Sequence, residues 1–305
     1  MHIWILIVPL CYSIAHHCNT TSPRHLNEMI KLQNLSYGYN RKVKTLQDIT
    51  AEIGSGIHLL VGENGAGKTT LLHLMGGLRY PRSGSCELDG TPMRQRHPSE
   101  MCRVQFFGDG MEFPASTIKE MVKVHSPFFP RFDREMLKRN LHAFGINEND
   151  KLSRMSLGTR RKAHLSYMLA LRCDALLLDE PTNGLDINSK QTFSRMLVEC
   201  VSPEQTVIVS THTPADLESL YDSIIVLSHG KLLLNMNIDE ITSHIAFVTQ
   251  NTTDADILYS EPSFGLQRCI IANTDKSIES QLDFELLYNA LHGNSIQAIL
   301  NCLKS

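Results

Sequence analysis

The sequence lacks the features that would assign it to several specialised classes of protein. Its eight cysteines are scattered and form no CxxC pair, so their spacing indicates neither a zinc site nor a disulfide framework. The formal net charge is −3, which excludes a global basic field for nucleic acid. No run of 18 or more apolar residues occurs, so no complete membrane-spanning helix is predicted. Free thiols would favour the cytoplasm.

What the chain does contain is enough apolar material for one large domain and a smaller one. It has 305 residues, of which 42% are hydrophobic. We predict three regions: an N-terminal extension over 1–28, a main domain over 29–235, and an α+β appendage over 236–305. The appendage carries no recognisable motif, and we expect it to pack on the main domain or on a second copy; a ligand-sensing role is the alternative.

The N-terminal extension is unusual because residues 3–15 are almost wholly apolar. This run is shorter than the roughly 20 residues that a membrane span needs. No Lys or Arg precedes it, so it is a poor signal peptide. We favour the interpretation that the chain starts at Met29 and that residues 1–28 are a mis-called upstream extension; a membrane-facing anchor is the alternative.

A glycine-rich stretch, GENGAGKTT over 62–70, lies between an apolar run with β-branched residues and a run with helical spacing. Gly62, four residues, then Gly67-Lys68-Thr69 is the spacing of a P-loop in its strand-to-helix context. Such a loop turns backbone amides toward a phosphate at a helix start. Lys68 would reach the β- and γ-phosphates, and the Thr69 hydroxyl would bind Mg²⁺. The predicted ATP contacts in this loop are Gly62, Glu63, Asn64, Gly65, Ala66, Gly67, Lys68, Thr69 and Thr70.

The rest of the main domain alternates strands and helices, which predicts an α/β fold with a mostly parallel sheet. Short strands over 30–53 would form an antiparallel part, and helical spacing over 113–170 predicts a helical subdomain. Asp179 and Glu180 follow the apolar run 175–178, which is typical of a buried strand. Next to a P-loop, Asp179 can hold the Mg²⁺ shell and Glu180 can deprotonate the attacking water.

Taken together, these motifs resemble the ATP-binding subunit of an ABC transporter over about residues 30–235. The resemblance rests on five motifs and one aromatic residue in the family's order. These are Walker A at 62–70, the signature MSLGTRRK at 155–162 with Ser156 and Gly158, Walker B at 176–181, the D-loop at 184–186 with Asp186, the switch His212, and Tyr39 for stacking on adenine.

The resemblance implies an ATPase that binds ATP and Mg²⁺, with Glu180, Lys68 and His212 as the catalytic residues. It also implies a head-to-tail dimer, either homo- or heterodimeric, in which one subunit's signature closes over the other's ATP. A separate integral-membrane permease would be the transport partner, placing the ATPase at the inner face of the cell membrane; no nucleic acid partner is expected. The aromatic stretch FFPRFD is similar to that of ABC-2 exporter ATPases, so we predict export.

Two segments depart from the family pattern. Thr159-Arg160 replace the Gly-Gln that usually ends the signature, and we expect closure on ATP to be retained. Counting back from Phe113, the Q-loop glutamine would fall at Gly108. Either Gln105 serves instead, or Asp109 takes over the contact with Mg²⁺ or water; we favour Asp109, which makes it a third candidate metal ligand besides Thr69 and Asp179.

Two other functions compete with transport. The first is a soluble ABC-type ATPase with a regulatory or ribosome-associated role, although ribosome-acting relatives carry two such domains and basic linkers. The second is a degenerate regulator that binds nucleotide without hydrolysing it. The intact Lys68, Asp179, Glu180 and His212 argue against the second, and the missing Q-loop glutamine argues for it.

Overall fold

The computed structural model describes residues 30–40, 43–95, 98–111, 115–214, 217, 220–250, 257–263, 265–274, 276, 278–293 and 295–304. The predicted extension 1–28 lies outside these residues, and so does Phe113, from which the Q-loop position was counted. Among the helices described, none is long and apolar enough to cross a membrane.

A six-stranded sheet forms the centre of the main domain, in the order β10-β9-β3-β8-β7-β6. Strands β3, β6, β7, β8 and β9 are parallel to their neighbours, whereas β10 is antiparallel to β9. Every residue of β7 and β8 is buried, as expected of apolar strands covered on both faces. Their bounds are β3 Gly56–Gly62, β6 Val104–Phe107, β7 Ala175–Asp179, β8 Thr206–Ser210, β9 Ser223–Ser228 and β10 Lys231–Asn237.

A second, antiparallel sheet has the order β2-β1-β4-β5. A hydrophobic cluster joins it to one face of the central sheet and includes Leu35, Leu46, Leu72 and Leu227. This layer holds helix α1 between the two sheets, so the predicted mixture of parallel and antiparallel parts is confirmed. The bounds are β1 Ile30–Tyr37, β2 Leu46–Ile53, β4 Ser83–Leu88, β5 Thr91–Pro92, α1 Lys68–Met75 and the short α2 Pro98–Met101.

Helices α3 to α6 cover the other face of the central sheet and belong to the larger hydrophobic cluster. Each of the four is preceded by a residue whose side chain accepts a hydrogen bond from the backbone amide three residues later. This bond supplies a partner for one of the amides that have none at a helix start. These capping residues are Thr117, Asp133, Ser156 and Asp186. The helices are α3 Ile118–His125, α4 Arg134–Ala143, α5 Leu157–Ala170 and α6 Ile187–Cys200.

The C-terminal residues form a three-stranded antiparallel sheet in the order β11-β13-β12, with helices beside it. The rings of Phe284 and Tyr221 lie 5.8 Å apart, so the first residue of α8 packs on the main domain. Residues of both parts share one hydrophobic cluster. The bounds are α7 Ile238–His244, β11 Ile245–Gln250, β12 Ile257–Ser263, β13 Leu266–Ala272, α8 Phe284–His292 and α9 Ile296–Leu303.

Two histidines are enclosed among the helices that cover the central sheet. His164 on α5 is buried and packs edge-on against Phe107, with the ring centroids 5.8 Å apart. His125 at the end of α3 lies 2.9 Å from the Tyr167 hydroxyl through Nδ1. Burial lowers the pKa of His125 to about 4 and, with help from the Arg161 charge, that of His164 to about 3. Both imidazoles are therefore neutral in the folded protein.

We predict that the domain loses stability in acid from about pH 6.5 downward. The unfolded chain binds protons at these histidines first, since their pKa values are lowered only in the fold. By pH 5 each should cost about 2 kcal/mol of unfolding free energy. The unfolding free energy measured with urea should fall between pH 7.5 and pH 5. In His164→Asn this fall should be smaller than in the wild type by about the same amount. The control is His142→Asn, an exposed position on α4; equal differences in both variants and the wild type would contradict the prediction.

Candidate nucleotide site

The loop between β3 and α1 requires glycine because other strands approach its backbone closely. A Cβ at Gly62 would lie 2.3 Å from the Leu227 carbonyl oxygen, and one at Gly67 would lie 2.6 Å from Leu46 Cδ2. Gly67 also has a φ of 107°, which L side chains rarely adopt. The loop is therefore held between the two sheets, and its path is fixed by contacts outside the loop.

Helix α1 begins on Gly67 without a side-chain hydrogen bond to its first amides. These amides have no partner within a helix, so its start offers donors and a partial positive charge to an anion. The Lys68 ammonium lies in the same loop and donates to the carbonyls of Gly62 (2.7 Å) and Glu63 (3.4 Å). Burial lowers the pKa of Lys68, while the charges of Glu180 and Asp179 oppose that shift.

The Asp179 carboxylate lies at the end of β7 and receives two hydroxyls. Thr69 Oγ1 donates to its Oδ2 over 2.7 Å, and Ser210 Oγ donates to its Oδ1. The parallel register places Asp179 opposite Ser210, so the second contact follows from strand pairing. Thr69 and Asp179 supply the hard oxygen ligands that Mg²⁺ prefers, and the two groups fit such an ion. Among the described residues no cluster of three or more His, Cys, Asp or Glu side chains could hold a metal.

Glu180 follows the last residue of β7 and has a φ of 49°, the left-handed region that only a few non-glycine residues occupy. Its amide donates to the Ser210 carbonyl over 2.9 Å. Its carboxylate Oε2 lies 2.8 Å from Nδ1 of His212, whose side chain is 58% exposed. The structure thus joins the predicted base and the predicted switch histidine directly. Glu180 lies outside the strand, since β7 ends at Asp179.

Tyr39 lies beside the start of α1, with its hydroxyl 3.1 Å from Thr70 Oγ1. Its ring is 58% exposed, and the Arg79 guanidinium is 4.7 Å from the ring centroid. An exposed aromatic face next to the phosphate loop has the geometry needed to stack on a base. No sequence motif pointed to Arg79, which contacts the ring from another segment.

The signature and the D-loop form a second group. Ser156 caps α5 by accepting from the Thr159 amide (3.1 Å), and Asp186 caps α6 by accepting from the Ser189 amide (2.9 Å). These bonds from Ser189 lower the pKa of Asp186. A Cβ at Gly158 would lie 3.3 Å from the carbonyl oxygen of Gly184, so the two motifs touch. No hydrogen bond or ion pair joins Ser156 or Gly158 to residues 62–70 in the described part of the chain.

The three residues considered for the Q-loop, in and after β6, have different surroundings. The Gln105 amide donates to the carbonyls of Met101 and Val104, at 3.2 and 2.9 Å. A Cβ at Gly108 would lie 3.3 Å from the Asp179 Cβ, so the counted Q-loop position adjoins Walker B. Asp109 Oδ1 lies 2.5 Å from Arg161 Nη1. A role for Asp109 as a metal ligand stays a prediction, and the structure gives its carboxylate a different partner.

Comparison with known proteins gives one family. The family described as "ABC transporter" matches residues 46–183. The putative ABC transporter ATP-binding protein TTE0246 of Caldanaerobacter subterraneus is 30% identical over 217 residues, which are 67% of this chain and 89% of that protein. The chain belongs to the ABC transporter family of ATP-binding subunits. Such subunits are ATPases, so this one is an ATPase.

Other relatives of this ABC ATPase carry names from different transport systems. The energy-coupling factor transporter ATP-binding protein EcfA2 of Streptococcus sanguinis is 31% identical over 222 residues, covering 67% of this chain and 80% of that one. The Nod factor export ATP-binding protein I of Burkholderia orbicola is 32% identical over 179 residues, covering 56% and 59%. A solved putative cobalt transport ATP-binding protein has the same fold, with a TM-score of 0.61, 23% identity, and coverage of 88% and 99%.

Sequence reasoning missed three contacts around the site of this ABC ATPase. Ser210 lies two residues before the switch His212, yet its hydroxyl was not predicted to reach Asp179. Arg79 lies outside the predicted motifs, and Arg161 lies within the signature 155–162 but was assigned no role; each contacts a predicted site residue. The signal for Ser210 was available, because strands β7 and β8 are adjacent in this fold; the two arginines act through contacts between distant segments.

Alanine substitutions at two loop glycines should separate folding from ATP binding. Gly62→Ala places a Cβ against the Leu227 carbonyl, so we expect it to lower the unfolding free energy by about 3 kcal/mol. Gly65→Ala meets no atom within 4 Å but has a φ of 84°; we expect it to cost about 1 kcal/mol and to weaken ATP binding. Urea unfolding and titration with a fluorescent ATP analogue measure the two effects. Normal ATP binding by Gly65→Ala would contradict the prediction.

Proposed function

We propose that two copies of this fold bind MgATP between them, hydrolyse it, and drive a separate membrane permease that exports its substrate. The observation that carries the proposal is the contact between Glu180 Oε2 and His212 Nδ1, 2.8 Å apart, beside the Asp179–Thr69 pair. A base, a cation-holding carboxylate and a phosphate loop at one edge of the sheet are the parts that phosphoryl transfer to water needs.

Glu180 is the proposed general base. Its carboxylate accepts a proton from the attacking water as the water's oxygen bonds to the γ-phosphorus and the bond to the leaving ADP oxygen breaks. Lys68 neutralises charge on the phosphate oxygens. A protonated His212 donates from both ring nitrogens, so it can hold Glu180 through Nδ1 and offer Nε2 to a phosphate oxygen.

Thr69 and Asp179 are the residues that would hold Mg²⁺. The two side chains lie 2.7 Å apart, and the Thr69 oxygen keeps its lone pairs for a cation while its hydrogen is donated to the carboxylate. When bound, Mg²⁺ neutralises charge on the β- and γ-phosphates.

The base assignment predicts a selective loss of turnover. Glu180→Gln keeps the shape of the side chain and removes the proton acceptor, so ATP turnover by the full chain should fall by about 100-fold or more. ATP affinity should stay near that of the wild type, since Gln still bonds to His212. Steady-state phosphate release and equilibrium ATP titration measure the two quantities. A wild type that binds ATP but turns it over no faster than Glu180→Gln would refute hydrolysis by this residue and favour a nucleotide-binding regulator.

The dimer face is proposed from the signature and D-loop. Leu157 and Ile187 are 76% and 75% exposed, at the first residues of α5 and α6. Lys162 on α5 also reaches Ser189 on α6 (3.3 Å), so the two helix starts are tied together. Two large exposed aliphatic side chains beside a helix start suited to an anion support closure of this face over the ATP of a second subunit. Each chain carries both halves of such a site, so the proposal fits a homodimer or a heterodimer.

Charge at this face should prevent the ATP-bound dimer. In a Glu180→Gln background, adding Leu157→Glu or Ile187→Glu should shift the ATP-dependent species from dimer to monomer in size-exclusion chromatography with light scattering. Val198→Glu is the matched control, because Val198 is also an aliphatic residue of α6 and is 60% exposed. If all three variants dimerise as the parent does, the proposed face is wrong.

The permease and the direction of transport are supported by the relatives. ABC ATP-binding subunits generally pair with membrane permeases, and one relative is named for export of Nod factor. The resemblance of FFPRFD to ABC-2 exporter ATPases points the same way. We therefore place the chain on the inner face of the cell membrane through its permease. Copurification with the membrane protein encoded beside it, and transport into inside-out vesicles, test the partner and the direction.

A further inference from the structure

One arginine connects two segments of the catalytic edge that the motifs treat separately. Arg161 lies in the second turn of α5, and its side chain is only 10% exposed. Nη1 lies 2.5 Å from Asp109 Oδ1, in the segment after β6. Nη2 donates to the Glu180 carbonyl, and Nε donates to the Pro181 carbonyl over 3.3 Å. The guanidinium thus spans from the Q-loop segment to the turn that carries the proposed base.

All three nitrogens of the planar guanidinium take part in these contacts. Its N–H groups face two backbone carbonyls and a carboxylate, and its Cζ lies 5.0 Å from the centroid of the Phe107 ring. A lysine could keep the charge but could not direct donors along three fixed directions. Hydrogen bonds from a charged, nearly buried donor are among the stronger ones in proteins.

The turn that Arg161 contacts is the one that needs support. Glu180 has left-handed backbone angles, which cost a non-glycine residue about 1 kcal/mol or more. Its amide is held by the Ser210 carbonyl (2.9 Å), and its own carbonyl is held by Arg161. Because the peptide groups on both sides of Glu180 are held, the direction of its Cα–Cβ bond is fixed.

The other end of the contact lies where the sequence departs from its family. Gly108 adjoins Asp179 without a side chain of its own, and Asp109 is the next residue. The Asp109 side chain is 71% exposed and still pairs with Arg161. In this chain the segment after β6 therefore reaches the turn at Glu180 through Asp109 and Arg161.

We propose that Arg161 is a positioning residue that orients Glu180 for attack by water and couples it, through Asp109, to the segment 108–111. This inference rests on the proposed function of Glu180 as the base. Arg161 touches neither nucleotide nor water in this role. It acts by holding the Glu180 backbone, and movement of Asp109 would change that hold.

The kinetic test compares Arg161→Gln and Arg161→Lys with the wild type in the full chain. Arg161→Gln should lower kcat about tenfold or more while KM and ATP affinity change less than about twofold. Arg161→Lys should restore only part of kcat. Arg195→Gln removes the same charge at an exposed position of α6 and is the matched control. A fall in affinity equal to the fall in kcat, or unchanged kcat, would overturn the proposal.

Asp109→Asn tests the second half of the contact. If Asp109 acts through Arg161, its effect on kcat should be largely absent in the Arg161→Gln background, because the two residues form one contact. Effects that multiply in the double variant would show that Asp109 acts elsewhere and would remove the coupling part of the proposal.

Hydrogen exchange gives a readout that does not depend on turnover. In Arg161→Gln the amides of Glu180 and Asn183, which bond within this turn and to β8, should exchange faster, as should residues 108–111. Strand β1 should be unchanged. Uniformly faster exchange would show a merely structural role, and unchanged exchange at the turn would refute the hold. If the wild type hydrolyses no ATP, the function of Glu180 fails, and exchange alone decides whether Arg161 fixes the turn.

Discussion

The hydrogen bond from Thr69 to Asp179 is the contact around which the site is arranged. It joins residues 110 positions apart, one at the start of α1 and one at the end of β7. It can form only because β3, β8 and β7 are parallel neighbours whose carboxyl ends reach the same edge of the sheet. The buried Asp179 then needs partners for both oxygens, and Ser210 on β8 supplies the second. Strand order, phosphate loop and carboxylate therefore depend on one another.

The charged groups at this edge influence one another. Lys68 is buried in the phosphate loop, which by itself would disfavour its charge, and the carboxylates of Glu180 and Asp179 oppose this effect. The ammonium is held by loop carbonyls rather than by either carboxylate. A phosphate entering the loop can therefore gain the lysine by replacing carbonyl contacts, and no ion pair has to break.

Much of the architecture could be predicted because it follows from local sequence patterns. The strand, glycine turn and helix over 56–78 and the buried strand ending at Asp179 were identified from apolar runs and glycine spacing, and the structure has them. Strand β12 was missed, since Ile257–Ser263 contains Glu261 and Pro262 and lacks a clear alternation. The Arg161 contacts could not be predicted, because they join α5 to segments 52 and 19 positions away by tertiary packing.

The helix starts show how the chain separates structural from ligand-binding amides. Helices α3 to α6 and α8 begin with side-chain caps, whereas α1 begins on a glycine. The signature residue Ser156 is one of these caps, so an anion at α5 meets a helix start that already has a partner. The Ser156 oxygen accepts the Thr159 amide, and its hydroxyl lies 2.9 Å from Thr159 Oγ1. Since a hydroxyl can accept and donate at once, Ser156 can direct its own hydrogen to a phosphate oxygen while keeping the cap. The proposed closure on a second subunit's nucleotide therefore need not cost the capping bond of the signature helix.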